Sequence, residues 1–313
     1  GQYNNAFGND ALKVNTASSN SAFGHAALVA NTTGSLNTAV GANALSSNVS
    51  GGDNVAVGNN ALTVSTGSRN TALGYNAMTD TTSGQDNTAV GFGSLGNNTT
   101  ASYNVAVGRS SMSVNTTGTV NTAVGYQSLK GNTTGGYNVA IGHESMLTNT
   151  TGITNTALGN NALRANTTAS QNVGLGTNAL YANTTGANNT AVGHNALDAN
   201  TTGTLNTAVG KDALGSNTTA STNTAVGREA LRDNTTGSDN VAVGVSSLSS
   251  NVTGTDNVAM GTSALKNNTN SFNTAVGDKA METNTSGTNN SAYGHQALNK
   301  NTTGGLNTAL GLN

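Results

Sequence analysis

Apolar and polar residues recur in this chain with a period of 17, and three of the intervals are 16 residues long. Counting each unit from its opening Asn, position 3 is Ala except at Gly174, and position 4 is always a larger apolar residue. Position 5 is Gly, position 8 is Ala or Ser, position 9 is Leu or Met, and position 12 is almost always Asn. A fixed repeat of this length predicts a solenoid built by stacking.

The units run from Asn4 to Asn307 without a change in composition or a linker. This predicts a single repeat domain over residues 1–313, with eighteen complete coils, three of them of 16 residues, and a partial nineteenth. The short units lose a residue just before the next Asn, so we expect a turn there that tolerates deletion.

The charged residues obey the same period. Every Lys, Arg, Asp and Glu lies at position 6, 7, 10 or 11, or in the turn at positions 16 and 17. The remaining positions carry no charge in any copy. Because charged side chains are almost never fully buried unless they are paired, this pattern separates covered positions from solvated ones.

The repeat predicts an all-β fold, a parallel β-solenoid (β-roll) of coils of about 17 residues. Asn, Thr and Gly recur too often for a helical unit. We expect a short strand at positions 1–5, a Gly turn, a second short segment at positions 8–12 and a Thr-Thr-Gly turn. The Gly at position 5 indicates either a positive φ or a close backbone approach, and the sequence leaves both open.

The recurrent Asn residues at positions 1 and 12 predict amide ladders along the stack. Position 12 also forms Asn-x-Thr, for instance at Asn31, Asn115, Asn183 and Asn234, which is formally a glycosylation acceptor. A glycan on every coil would crowd at the roughly 4.8 Å spacing of neighbouring strands, so the ladder is favoured.

The Ala at position 3 predicts an inter-chain seam. Neighbouring residues of a strand face opposite ways, and the larger residue at position 4 is expected to face the coil interior against position 9. Position 3 would then face outward, and its restriction to Ala or Gly indicates that another chain, most simply a second copy, covers it. The residues assigned to this seam are Ala39, Ala56, Ala89, Ala106, Ala123, Ala140, Ala157, Ala191, Ala208, Ala225 and Ala242.

The stretch Asn-Thr-Ala-Val-Gly, at Asn37–Gly41 and Asn121–Gly125, resembles the Asn-Ser-Val-Ala-Ile-Gly signature of trimeric autotransporter adhesin heads. The full unit, with Ala-Leu and Asn-Thr-Thr-Gly following, is similar to repeats of phage tail-fibre-like proteins. The adhesin repeat is shorter and places its Ala differently. The resemblance implies a left-handed roll and a homotrimer.

Position 6 holds the candidate surface-contact residues, where aromatic, His and Arg side chains replace small polar ones. They are Tyr75, Phe92, Arg109, Tyr126, His143, His194, Arg228 and His295. Exposed aromatics beside Arg and Asn can bind a glycan or a receptor, but a variable solvated column is the simpler explanation. One His per coil cannot form a metal site alone, and we expect no cofactor and no catalytic set.

These observations favour a structural fibre, the shaft or head of a trimeric tail fibre or surface adhesin that spaces or presents a receptor-binding tip. The alternatives are a bacterial surface adhesin that binds matrix or glycans along its side, and an ice-binding β-solenoid. An enzyme is the least favoured class. Few basic residues and a net charge of −2 argue against nucleic acid, and no apolar run is long enough for membrane insertion. The expected location is extracellular, on a virion or in a cell-surface filament.

Overall fold

A computed structural model describes residues 1–312, in which positions 2–4 of every unit form one short strand. The strands are β1 Asn5–Phe7, β2 Ser21–Phe23, β3 Thr38–Val40, β4 Val55–Val57, β5 Thr71–Leu73, β6 Thr88–Val90, β7 Val105–Val107, β8 Thr122–Val124, β9 Val139–Ile141, β10 Thr156–Leu158, β11 Val173–Leu175, β12 Thr190–Val192, β13 Thr207–Val209, β14 Thr224–Val226, β15 Val241–Val243, β16 Val258–Met260, β17 Thr274–Val276, β18 Ser291–Tyr293 and β19 Thr308–Leu310. Across residues 1–312 no helix is long or apolar enough to span a bilayer.

The chain divides into two compact units, Gly1–Thr154 and Asn155–Asn313. In the first, β1 to β9 pair in sequence order, parallel and in register, so that Ala123 lies opposite Ala140. In the second, β10 to β19 pair in the same way, with Ala191 opposite Ala208. Each unit is therefore a parallel β-solenoid, which confirms the predicted fold class. The left hand and the trimer stay predictions.

The core of each unit is a column of Leu and Met at position 9, enclosed by Ala at position 3 and by Ala or Ser at position 8. Leu129, Leu197 and their equivalents in the inner coils are 0% exposed, as are the flanking Ala residues. Burying one such Leu side chain contributes about 1.5–3 kcal/mol. The interior is thus narrow, with one large apolar side chain per coil.

Gly at position 5 ends each strand for two reasons that act together. Gly41 has φ 130°, a region that residues with a side chain rarely adopt. A Cβ added to Gly41 would also lie 2.5 Å from the carbonyl oxygen of Gly58 in the next coil. Both readings of this position are correct, which explains why no other residue occurs there.

Positions 6–11 form a turn rather than a second strand. Its backbone still bonds along the stack, since the Leu45 amide donates to Ala61 O at 3.1 Å and the Ser47 amide to Thr63 O at 2.9 Å. Leu45 itself has φ 52°, a conformation that is costly for a residue with a Cβ. This bend turns the position-9 side chain into the core, and the bonds to the next coil hold it there.

The shorter coils lose position 14, within the Thr-Thr pair, and not the residue before the next Asn. In the short coil that begins at Asn54, Asn54 Nδ2 donates to Gly67 O at 3.0 Å, the same bond that Asn37 makes to Gly51 O in a full coil. The closing turn is also kept, since the Arg69 amide donates to Gly52 O at 3.0 Å. The predicted place of the deletion was therefore wrong by a few residues.

The predicted amide ladders are present. At position 12, Asn132 Nδ2 donates to Asn115 Oδ1 at 2.7 Å, and Asn149 Nδ2 donates to Asn132 Oδ1 at 2.8 Å. Asn132 Nδ2 and Asn121 Nδ2 also share the carbonyl oxygen of Gly135, each at 2.9 Å. These Asn side chains are fully buried, at 0–1% exposure, which leaves no access for a glycan at position 12.

The position-12 ladder is broken in the second unit at Asn251, whose Oδ1 has no hydrogen-bond partner among the described residues. In the first unit it is interrupted where Ser65 and Thr81 replace Asn in consecutive coils. The buried Ser65 hydroxyl has no hydrogen-bond partner among the described residues. Asn98 Nδ2 reaches Thr81 Oγ1 only at 3.5 Å. Because an unpaired buried polar group is costly, this is a weak point of the first unit.

Candidate interaction surfaces

The Ala column at position 3 faces the interior of its own coil, so the predicted seam is wrong. All its members are 0% exposed within the single chain: Ala39, Ala56, Ala89, Ala106, Ala123, Ala140, Ala157, Ala191, Ala208, Ala225 and Ala242. At Gly174 a Cβ would lie 3.4 Å from Leu163 Cγ, the position-9 side chain of the preceding coil. Position 3 is small because Leu at position 9 already fills the interior.

The other strand face, which we call the outer face, consists of positions 2 and 4. Position 4 is 38% exposed at Val40, 46% at Leu73 and 44% at Met260. None of the described residues at positions 2 and 4 is buried. In every strand from β2 to β18, the buried middle residue at position 3 lies between these two accessible residues. Apolar side chains at position 4 therefore form a column along each unit whose members are exposed or half-buried.

The outer face is an exception to the rule that the uncharged positions of the repeat are covered. Positions 1, 3 and 5 carry no charge because their own chain covers them or their backbones approach closely, but positions 2 and 4 carry no charge and are open. Position 14 is also open and uncharged, and its residues are Thr or Ser, which hydrate well. Position 4 has no such polar group in most coils, so it is the column whose composition calls for a partner.

Five of the candidate surface-contact residues stack on one another in the first unit. The rings of Tyr75 and Phe92 are stacked with centroids 5.3 Å apart, and those of Tyr126 and His143 with centroids 5.2 Å apart. The Arg109 guanidinium lies between these pairs, with Cζ 5.7 Å from the Phe92 centroid and 5.8 Å from that of Tyr126. We call this set, one residue from each of five successive coils, the position-6 stack.

The other three candidates lie in the second unit and do not join a stack. Arg228 is paired with the neighbouring Glu229 at 3.8 Å, and His295 Nε2 lies 3.4 Å from Asp278 Oδ2. His194 is exposed beside Asn195. These residues are solvated side chains of one column, and the structure does not bring them together.

A shallow groove of about 340 Å³ runs beside the position-6 stack, and sequence reasoning missed it. Its floor is formed by Gly93 at position 7 and Gly96 at position 10, with Asn76, Asn97 and Phe92 among its walls. A Cβ at Gly93 would meet nothing within 4 Å. Two Gly residues at these positions in one coil are the signal that the sequence offered.

Charged side chains on the surface pair within a coil, as Arg232 does with Asp233, and also between neighbouring coils, as Arg69 does with Asp86. Arg69 Nε donates to Asp86 Oδ1 at 2.7 Å, and this hydrogen bond lowers the pKa of the Asp86 carboxyl. Asp198 differs, because partial burial raises the pKa of its carboxyl, with a smaller contribution from Asp212. Within residues 1–312 no group of three or more acidic or His side chains is placed to hold a metal ion.

No protein-family model matches the chain. No curated protein sequence matches it either. The functional interpretation therefore rests on the surfaces described above.

Proposed function

We propose that this chain is a non-enzymatic structural fibre segment, the shaft or head of a homotrimeric tail fibre or surface adhesin outside the cell. In this role the solenoid spaces or presents a receptor-binding tip. The observation that carries the proposal is the outer face, whose apolar position-4 column is accessible in the single chain and free of charge in every coil.

A second copy of the chain is the partner that this face fits best. The face has no charge that could repel the same face of a neighbouring copy, and the same repeat in each copy gives the same strand spacing. Strands of three residues spaced about 4.8 Å apart give roughly 400 Å² of outer face per unit. Each unit by itself therefore offers about half of the roughly 800 Å² that a standard interface buries on each partner.

The ice-binding alternative is less well supported by the same face. A flat array of small hydroxyl-bearing residues would favour it, and position 2 supplies Thr in about half of the coils. Position 4, however, varies between Val, Leu, Ile, Met, Phe and Tyr, so the surface is uneven. Uneven apolar relief is suited to interdigitating with another protein surface, as in an interface core.

The test compares a chain with two added charges on the outer face with a chain that carries two added charges next to that face. Val107→Lys with Val124→Lys places two cations at position 4, whereas Ser110→Lys with Gln127→Lys places two at position 7 of the same coils. Position 7 accepts Lys naturally at Lys279. We expect the first pair to dissociate the assembly in sedimentation velocity and the second to leave it intact. Equal masses for both pairs would refute a contact through the outer face.

A further inference from the structure

The groove beside the position-6 stack lies next to an Arg residue with unusual fixed geometry. Arg109 is exposed, and both faces of its guanidinium are covered, by the rings of Phe92 and Tyr126. It makes no ion pair with any residue of the described chain. A guanidinium presents a planar fork of N–H donors that matches a carboxylate.

Two further features give this Arg a built site. Phe92, whose ring centroid lies 5.7 Å from Arg109 Cζ, lines the groove together with Asn76, Asn97 and Ser110, the residue that follows Arg109. Asp80 also lines the groove, two coils before Arg109. The groove volume of about 340 Å³ lies at the lower end of small-ligand sites, which suits one sugar ring.

We propose that this groove binds an acidic saccharide, with the sugar carboxylate on Arg109 and its hydroxyl groups on the amides and on Asp80. A sugar hydroxyl both donates and accepts, so it satisfies Asn76, Asn97 and the carboxylate of Asp80 together. A peptide rich in Asp and Glu is a poorer fit, because its further carboxylates would be repelled by Asp80. The proposal goes beyond the fibre function and does not depend on it.

The aromatic residues act here as positioning residues. Both faces of Phe92 are occupied, by Tyr75 at 5.3 Å and by Arg109 at 5.7 Å, so a sugar ring cannot stack on it. The stack instead holds the guanidinium in one orientation before the ligand arrives, which lowers the ordering cost of binding.

Calorimetric titration with a glucuronic acid oligosaccharide tests the site. A glucose oligosaccharide of the same length and linkage is the neutral control, and acetate is the control that carries only the carboxylate. We expect the acidic sugar to bind at least about tenfold more tightly than either, since a hydrogen bond to a charged group is worth about a factor of ten or more. If the glucose oligosaccharide binds as tightly as the acidic one, the sugar carboxylate does not contribute to binding. If acetate binds as tightly as the acidic oligosaccharide, the sugar ring does not contribute, and the site is not a saccharide site.

Three variants locate the binding. Arg109→Gln is expected to weaken the acidic sugar about tenfold or more, while Arg228→Gln, at the same position of another coil but without flanking rings, keeps the wild-type affinity. Gly93→Asn with Gly96→Thr fills the groove with residues that neighbouring coils carry at those positions, and Asn43 shows that Asn accepts the same φ of about 60°. Loss of binding in the filled variant, with an unchanged circular dichroism spectrum, supports the groove. Wild-type affinity in Arg109→Gln or in the filled variant would contradict it.

Discussion

The two faces of each three-residue strand differ in what covers them. On the inner face, Ala123 is 0% exposed and packs within its own coil. On the outer face, Val124 and the equivalent residues at position 4 stay accessible in the single chain. Both columns are apolar and uncharged. At position 3 the restriction to Ala arises from the small space beside the position-9 Leu. At position 4 the lack of charge has no cause within the chain. In the proposed fibre assembly, the outer face is therefore the one that a second copy would cover.

The largest difference between the inner and outer faces is expected when the same charge is placed on each face of one strand. Ala123→Lys buries an unpaired cation, and we expect it to destabilise the first unit by at least about 3 kcal/mol. Val124→Lys is expected to change the folding of the isolated chain by less than about 0.5 kcal/mol, while lowering the assembled mass. Urea unfolding followed by circular dichroism measures the first effect, and sedimentation measures the second.

An equal loss of fold in Ala123→Lys and Val124→Lys would mean that the two faces are not distinct. An Ala123→Lys chain that stays folded but dissociates would restore the Ala seam.

The period, the β class and the amide ladders could be predicted from the sequence because every copy repeats the same constraint. Which face of each strand lies inside the coil could not be predicted from the sequence. Alternation shows that Ala123 and Val124 face opposite ways, but either can be inside. Placing the larger residue inside is the natural expectation, but a Gly174 Cβ would already lie 3.2 Å from Ala179 O and 3.4 Å from Leu163 Cγ, which leaves no room for a larger side chain at position 3.

The position-6 stack could have been predicted in part. Reading position 6 along five consecutive coils gives Tyr75, Phe92, Arg109, Tyr126 and His143 at one strand spacing, close enough for rings to stack. The groove could not be found in this way, because the proximity of positions 7 and 10 across a turn depends on the positive φ values within it.

A smaller effect is expected inside the core at the Asn ladder. Asn132→Ala removes the donor to Asn115 Oδ1 and the acceptor of Asn149 Nδ2, so we expect a loss of about 1–3 kcal/mol. Thr134→Ala in the same coil is the control, since Thr134 is exposed, and it should stay within about 0.5 kcal/mol of the wild type. Urea midpoints measure both, and a loss in Thr134→Ala as large as in Asn132→Ala would show that the ladder is not the cause.

The natural gap in the ladder of the first unit offers the converse change. Ser65→Asn combined with Thr81→Asn extends the ladder through the interruption, and we expect the unfolding midpoint to rise. A midpoint that falls would show that the short coil cannot accept the larger side chain.

The smallest effect concerns Asp198 on the solvated surface of the second unit. Because its pKa is raised in the folded chain, the ionised carboxylate opposes folding at neutral pH, and stability is regained as the pH falls through that raised pKa. Asp198→Asn should therefore unfold at slightly higher urea than the wild type at pH 7. The difference should shrink below the ordinary pKa of Asp, and a difference independent of pH between 3 and 7 would contradict the assignment.

The most direct test of the outer face as a contact between copies is the solution mass of the unaltered chain by light scattering on a sizing column. Three chains of 30.8 kDa give 92.4 kDa, and this is the mass that we predict. A folded species of 30.8 kDa at micromolar concentration would show that the position-4 column meets water, and it would contradict the proposed fibre assembly.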